Sequence, residues 1–214
     1  MAEGRTRRQR RAELTADQRL DAARVVFETK GYQGATVGAI TRAAETAHGT
    51  FYLHFRNKRD VFSQVVYQVC REMYEAGETA WDQDEPLDSL RAGIGSFLEI
   101  FAEHRGLWRA LLQGALADPQ LEDMWMELRR PFIARTEQVL ERLHASGAIQ
   151  PLDTAMWATA LSSMVEWVAF TRFVLGQSTG PGPTMEQLVD GLARMWFRAV
   201  FTGADLPAFG ASLA

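Results

Sequence analysis

Phe51 and Phe55 stand four residues apart and share one face of a helix, which leaves His48, Gly49, Thr50, Tyr52 and His54 for other surfaces. The chemistry open to those side chains is hydrogen bonding rather than bond making. The four histidines, His48, His54, His104 and His144, show no metal-ligand spacing. The chain also lacks a P-loop, a G-x-S-x-G, an H-E-x-x-H and a G-x-G-x-x-G. No catalytic residue, metal or cofactor is assigned on this reading.

A pair of short helices must position these residues. Val37, Ile40 and Ala44 follow Thr36 at helical spacing, and the Thr36 side chain is placed to cap the first N–H groups. That helix should stop near Glu45. A turn of about three residues separates it from the helix carrying Phe51 and Phe55, an arrangement that suggests a helix-turn-helix.

The run G-T-F-Y-L-H-F-R-N-K, Gly49 to Lys58, resembles the end of the DNA-binding domain in the tetracycline-repressor (TetR) family. Its most specific part is Gly49-Thr50, then Tyr52, His54-Phe55 and Lys58. The resemblance implies an all-α, homodimeric transcriptional regulator, usually a repressor, that a small ligand releases from double-stranded operator DNA. It implies DNA contacts from Thr36, Val37, Thr46, Ala47, His48, Gly49, Thr50, Tyr52, His54 and Lys58. On the family pattern, His48, Gly49 and Thr50 open the recognition helix, whereas Tyr52 and Lys58 look like phosphate contacts. A dimer would set two such helices in successive major grooves, about 34 to 36 Å apart or more, over a near-palindrome. Two positions depart from the family: Glu45 stands where Gly is usual and Ala47 where Ser or Thr is usual. A left-handed Glu45 would cost on the order of 1 kcal/mol relative to Gly. Thr46 is the candidate to replace the missing cap.

The charge distribution agrees with a DNA-facing N-terminal end. The net charge is −4, but residues 1–60 hold 12 Lys/Arg against 7 Asp/Glu, a net of +5. Residues 61–214 hold 11 against 20, a net of −9. With Cys70 alone, no intrachain disulfide is possible and nothing argues for an oxidising compartment. The thiol reads as a small buried apolar residue. The N-terminus has arginines but no apolar leader core, and the apolar run 154–176 contains Glu166 and Arg172, so a buried helix is expected rather than a membrane span. A cytoplasmic protein is the expectation.

The chain divides on this reading into a basic arm at 1–14, a helix-turn-helix domain at 15–60 and a ligand-binding and dimerisation domain at 61–214. The arm, with Arg5, Arg7, Arg8, Arg10 and Arg11, has little apolar anchorage and reads as mobile, either a solvated tail or a strap for phosphates or a minor groove. Thr15 and Gln18 form a candidate capping box for a first helix through Leu20, Ala23 and Phe27, ending near Gly31. Asn57 caps a helix from Lys58 to Ala76 with Phe62, Val65, Val69 and Met73 on its buried face; no Gly or Pro interrupts it. Pro86 opens the next helix, Gly106 separates it from a segment at 107–116, and Asp118-Pro119 begins another in which Pro131 predicts a kink. A nearly all-apolar helix follows over 153–175. After a Gly/Pro loop, Thr184 and Gln187 form a second capping box for a last helix.

All six tryptophans lie beyond residue 80. Large apolar side chains there favour a hydrophobic small-molecule effector, with Phe97, Phe101, Trp108, Leu112, Trp125, Phe132, Glu166 and Phe170 as candidate lining residues. The polar residues His104, Gln113, Glu166 and Arg172 would either orient such a ligand or form buried pairs. The last two helices carry more apolar surface than a small domain buries. Their candidate dimer residues are Trp157, Leu161, Met164, Val168, Leu188, Leu192, Met195 and Trp196, and the resemblance implies a four-helix bundle there. Two other classes compete: a ligand-independent architectural DNA-binding protein and an all-α enzyme. The first predicts weak sequence preference, and the second turnover without salt-dependent DNA affinity.

Overall fold

In a computed structural model, residues 7–77, 81–82, 84–176 and 182–201 are described, with side chains from residue 18 onward. The regular elements among the described residues are all helical: α1 (Arg7–Gly34, broken at Gly31, φ 68°, where the sequence expects the first helix to end), α2 (Val37–Ala43), α3 (His48–Phe51), α4 (Lys58–Ala76), α5 (Pro86–Glu103), α6 (Arg105–Ala115), α7 (Pro119–Ala145), α8 (Thr154–Ala169) with a π-helical continuation at Phe170–Val174, and α9 (Met185–Phe201). Two compact units result. The first comprises Met1–Glu72 and His104–Leu128, the second Met73–Glu103 and Arg129–Ala214.

Three of the caps read from sequence, at Thr36, Asn57 and Thr184–Gln187, are formed. Thr36 accepts from the Ala39 N–H at 3.2 Å. At α4, Asn57 Oδ1 accepts from the Asp60 N–H at 2.9 Å while Asp60 Oδ2 accepts from the Arg56 N–H, one residue before the cap, at 2.8 Å. Asp153, which the sequence reading did not single out as a cap, caps α8 through the Met156 N–H at 3.0 Å. Thr184 and Gln187 satisfy each other's N–H groups at the start of α9.

Two expectations need correction. Helical backbone begins at Arg7, so Thr15 lies inside α1 and no helix start exists for it to cap. Residues 7–30 contain neither Gly nor Pro and are rich in Arg, Ala, Glu, Gln and Leu, so nothing local stops the helix from extending through the basic stretch. The first six residues, the loop at 177–181 and the chain after Phe201 lie outside the described residues. Second, Gly106 is not a separator. The break falls at His104 (φ −96°, ψ 25°), and Gly106 sits in the first turn of α6. A Cβ there would stand 2.6 Å from the Glu28 carbonyl oxygen, so the missing side chain lets α6 approach the backbone of α1. Pro131 lies inside α7, where the sequence places it, and Leu128, Leu140 and Leu143 are buried along the helix.

The first unit packs around Phe27, Phe62 and Tyr32, with Phe27 edge-on to Phe62 at 4.7 Å and Tyr32 tilted against Phe62 at 4.9 Å. Ile40, Phe51 and Phe55 join that core from the helix-turn-helix, and Leu107, Leu111 and Leu121 from α6 and α7. Each such side chain contributes roughly 1.5–3 kcal/mol on burial. In α4 the predicted stripe of Phe62, Val65, Val69 and Met73 is buried, and Cys70 beside it is half-buried. The second unit packs α5, α7, α8 and α9 around residues including Leu98, Phe101, Leu140, Phe170 and Leu192. Arg91 of α5 reaches Asp190 of α9 with its Nε at 3.0 Å, and Arg194 holds the same carboxylate at 2.7 Å. Among the described residues no helix is long and apolar enough to cross a membrane.

Candidate nucleic-acid interface

The geometry of α2 and α3 follows from a turn that tolerates its own strain. Glu45 adopts φ 51°, the left-handed conformation that the resemblance assigns to Gly, and the Thr46 N–H closes the turn on the Thr41 carbonyl at 2.9 Å. Ala47 is the N-cap of α3 and makes no side-chain cap, so Thr46 does not take over that role. The helix runs only from His48 to Phe51, but its trace continues. Leu53 N–H donates to Thr50 O at 3.3 Å, His54 N–H to Phe51 O at 3.0 Å, and Phe55 N–H to Phe51 O at 2.9 Å.

That extra turn sorts the side chains. Phe51 and Phe55, with ring centres 5.2 Å apart, are buried at 2% and 4% exposure and fix α3 to the first unit. His48 and Tyr52 meet edge-on at 5.6 Å on one flank, and both are exposed. Gly49 and His54 are exposed as well, and Thr50 is half-buried. Thr36 and Ala47 are exposed, whereas Val37 and Thr46 are half-buried. Nothing lies within 4 Å of a Cβ built at Gly49, so no contact inside the described protein requires a bare backbone there.

Lys58, for which the resemblance implies a phosphate contact, is engaged within the protein in this DNA-free structure. Its Nζ donates to the Tyr32 carbonyl at 2.9 Å and lies 4.5 Å from the centre of the Tyr32 ring. Burial pulls its pKa below the ordinary lysine value. The neighbouring Arg59 is likewise engaged, with Nη1 3.0 Å from Asp118. Arg42, at the end of α2, and Arg56, just before α4, are exposed and form no ion pair among the described residues. Sequence reasoning passed over both, along with Leu53, which is 80% exposed. Their signal was helical phase: Leu53 lies two residues from each of the buried Phe51 and Phe55.

The candidate effector residues divide between the units. Trp108, Leu112 and Trp125 belong to the first, and Phe97, Phe101, Phe132, Glu166 and Phe170 to the second. Within the second, four rings form a chain: Phe132 to Phe97 at 6.0 Å, Phe97 to Phe101 at 5.7 Å, and Phe101 to Phe170 at 5.1 Å. Two of the four polar candidates, Glu166 and His104, are found in pairs. Glu166 accepts from Arg129 Nε at 2.6 Å, and Arg129 also reaches Ser163 at 2.8 Å. In the first unit, His104 is 3% exposed, with Nδ1 2.9 Å from Glu28 Oε1. A carboxylate only accepts, so Nδ1 carries the proton. No cluster of three or more metal-ligating side chains occurs among the described residues.

Of the candidate dimer residues, Leu161, Leu192 and Trp196 are buried within the protomer, while Trp157, Met164, Val168 and Leu188 are half-buried. Met195 is 52% exposed. On the same two helices Met156 and Trp167, which the sequence reading did not select for this face, are 53% and 60% exposed.

Comparison with known proteins gives this arrangement a family. Residues 20–65 match the model of bacterial regulatory proteins of the tetR family, and residues 90–202 match that of the C-terminal domain of the transcriptional regulator EthR. The HTH-type transcriptional regulator EthR of Mycolicibacterium smegmatis is 26% identical over 188 residues, covering 85% of this chain and 84% of that one. Two solved structures share the fold. A TetR-family regulator from Mesorhizobium loti superposes with a TM-score of 0.70 at 22% identity, over 92% of this chain and all of that one. The fatty acid degradation regulator FadR from Bacillus halodurans superposes with a TM-score of 0.70 at 22% identity, over 84% and 93%. With a helix-turn-helix at one end and an EthR-type helical region covering more than half its length, the chain belongs to the TetR family of DNA-binding transcriptional regulators.

Proposed function

We propose that the protein is a repressor that binds a near-palindromic operator as a homodimer and leaves it when a hydrophobic small molecule binds the second unit. The observation that carries the reading is the outward surface of α3, where exposed His48, Tyr52 and His54 surround a glycine that nothing inside the described protein requires. Its Cα approaches a groove more closely than any other residue could, with His48 and Thr50 in reach of base edges. Thr36 and Val37 at the start of α2, and Thr46 and Ala47 before α3, lie against the same duplex, and Tyr52 contacts phosphate. Arg42 and Arg56 supply the remaining backbone contacts. Lys58 holds α4 in place instead.

Exposed Met156, Trp167 and Met195 support a second copy docking on α8 and α9, since large apolar groups at helical spacing on two helices suit a four-helix interface. The ring chain through Phe97, Phe101, Phe132 and Phe170 supports an apolar effector. Such a molecule releases DNA only by binding the non-operator conformation more tightly. Selecting duplexes from a random pool with the full-length protein tests the reading. The expected product is a near-palindrome bound by a dimer, as measured by light scattering. A monomer, or a pool with no enriched sequence, would sink it, and the latter outcome favours an architectural binder.

A further inference from the structure

We propose that Leu53 reads the 5-methyl group of a thymine in the bound duplex, an inference that rests on α3 being the element that enters the major groove. Successive residues of a helix are rotated by about 100°, so with Phe51 and Phe55 turned into the core, Leu53 falls on the opposite, outermost side. The hydrogen bonds that carry the helical trace through Phe55 keep it in that phase. Gly49, four residues earlier, shares the stripe, and its missing side chain leaves open space beside the leucine. The most outward strip of α3 and the turn that continues it is therefore a gap followed by an isobutyl group, flanked by His48 and Tyr52 on one side and Thr50 and His54 on the other.

An isobutyl group neither donates nor accepts a hydrogen bond, so it has no partner among phosphates or among the polar edges of bases. The one apolar group that B-DNA presents in the major groove is the thymine methyl. Exposure alone would not justify the assignment: Leu116 is 83% exposed, but it lies at the turn after α6 rather than on this strip. What distinguishes Leu53 is its alignment with Gly49 on the recognition element.

Replacing thymine by uracil removes the methyl and nothing else. The test takes the duplex selected by the full-length protein, substitutes uracil at each thymine in turn, and measures binding to the wild-type protein and to Leu53→Ala. At a thymine in each half-site, uracil should weaken wild-type binding roughly three- to tenfold, the scale of one buried methyl. Leu53→Ala, an exposed substitution that leaves the core intact, should bind the thymine and uracil duplexes equally well. Indifference of the wild-type protein to uracil at every position overturns the proposal, as does an undiminished methyl preference in Leu53→Ala. If no duplex is enriched in the first place, it is the DNA-reading function that fails, before the uracil scan begins.

Discussion

The Lys58 ammonium donates to the carbonyl of Tyr32 at 2.9 Å and sits 4.5 Å from the centre of that residue's ring, so one cation ties the first turn of α4 to the segment following Gly31. The far end of α4 repeats the device within the second unit. Arg135 donates to the Tyr74 carbonyl at 2.8 Å and stacks 4.3 Å from the Tyr74 ring. Both contacts combine a charge-assisted hydrogen bond with a cation–π contact on the same partner.

Lys58→Met removes the charge and keeps much of the stem. Loss of the hydrogen bond and the ring contact should lower unfolding stability by about 1–2 kcal/mol, offset in part by the relief of a partly buried charge. Urea titration measures this. The salt dependence of operator binding should stay near wild type, whereas Arg42→Ala or Arg56→Ala should each reduce its slope by about one. A Lys58→Met protein of native stability with a slope reduced by one would restore the lysine to the phosphates.

Gly106→Ala brings a methyl to 2.6 Å from the backbone oxygen of Glu28, an atom that cannot move without displacing α1. A cost of about 2 kcal/mol or more is expected, in spite of the better helix propensity of Ala. Gly191→Ala in α9 is the control, because nothing lies within 4 Å of its added Cβ. It should gain roughly 0.5–1 kcal/mol. Equal effects at the two sites would show that α6 and α1 are not held as closely as described.

The parts of this fold that were legible in sequence are local ones. Thr36, Asn57 and the Thr184–Gln187 pair each satisfy groups within four residues, and the Phe51–Phe55 face follows from spacing alone. Sequence distance hid the rest. Gly106 reads as a breaker until Glu28 is seen against it, and the Lys58 anchor and the His104–Glu28 pair join residues from different helices. In α8 and α9 large apolar side chains stand on more than one face, so periodicity could not separate the inward Leu161, Leu192 and Trp196 from the outward Trp167 and Met195. Leu53 was missed for the opposite reason. A leucine beside two buried phenylalanines reads as core, although its phase turns it outward.

Glu45 offers a gain. At φ 51° its Cβ crowds the backbone, a strain absent in glycine. Glu45→Gly should raise stability by up to about 1 kcal/mol, less the greater entropy of a glycine in the unfolded chain. Since α3 is positioned by Phe51 and Phe55, operator affinity should not fall. A destabilised Glu45→Gly protein would mean that the glutamate side chain holds the turn by a contact of its own.

Asp118 sets part of the acid limit of the first unit. Its Oδ2 accepts from Arg59 at 3.0 Å, and Oδ1 accepts from the Gln120 N–H at 3.0 Å at the start of α7. The Arg59 hydrogen bond, more than any other influence, holds the carboxyl below the ordinary aspartate value of 3.8. Between the lowered value and 3.8 the unfolded chain binds more protons at this site than the folded one. The carboxylate's contribution is therefore complete above 3.8 and is lost as the pH falls through the folded pKa. Asp118→Asn keeps an acceptor for the cap but cannot ionise. It should be less stable than wild type near neutrality, and the two proteins should converge as the pH is lowered from about 4 towards 2, as followed by urea unfolding at each pH. A stability difference that stays constant across that range would show that the Arg59–Asp118 pair contributes nothing through its charge.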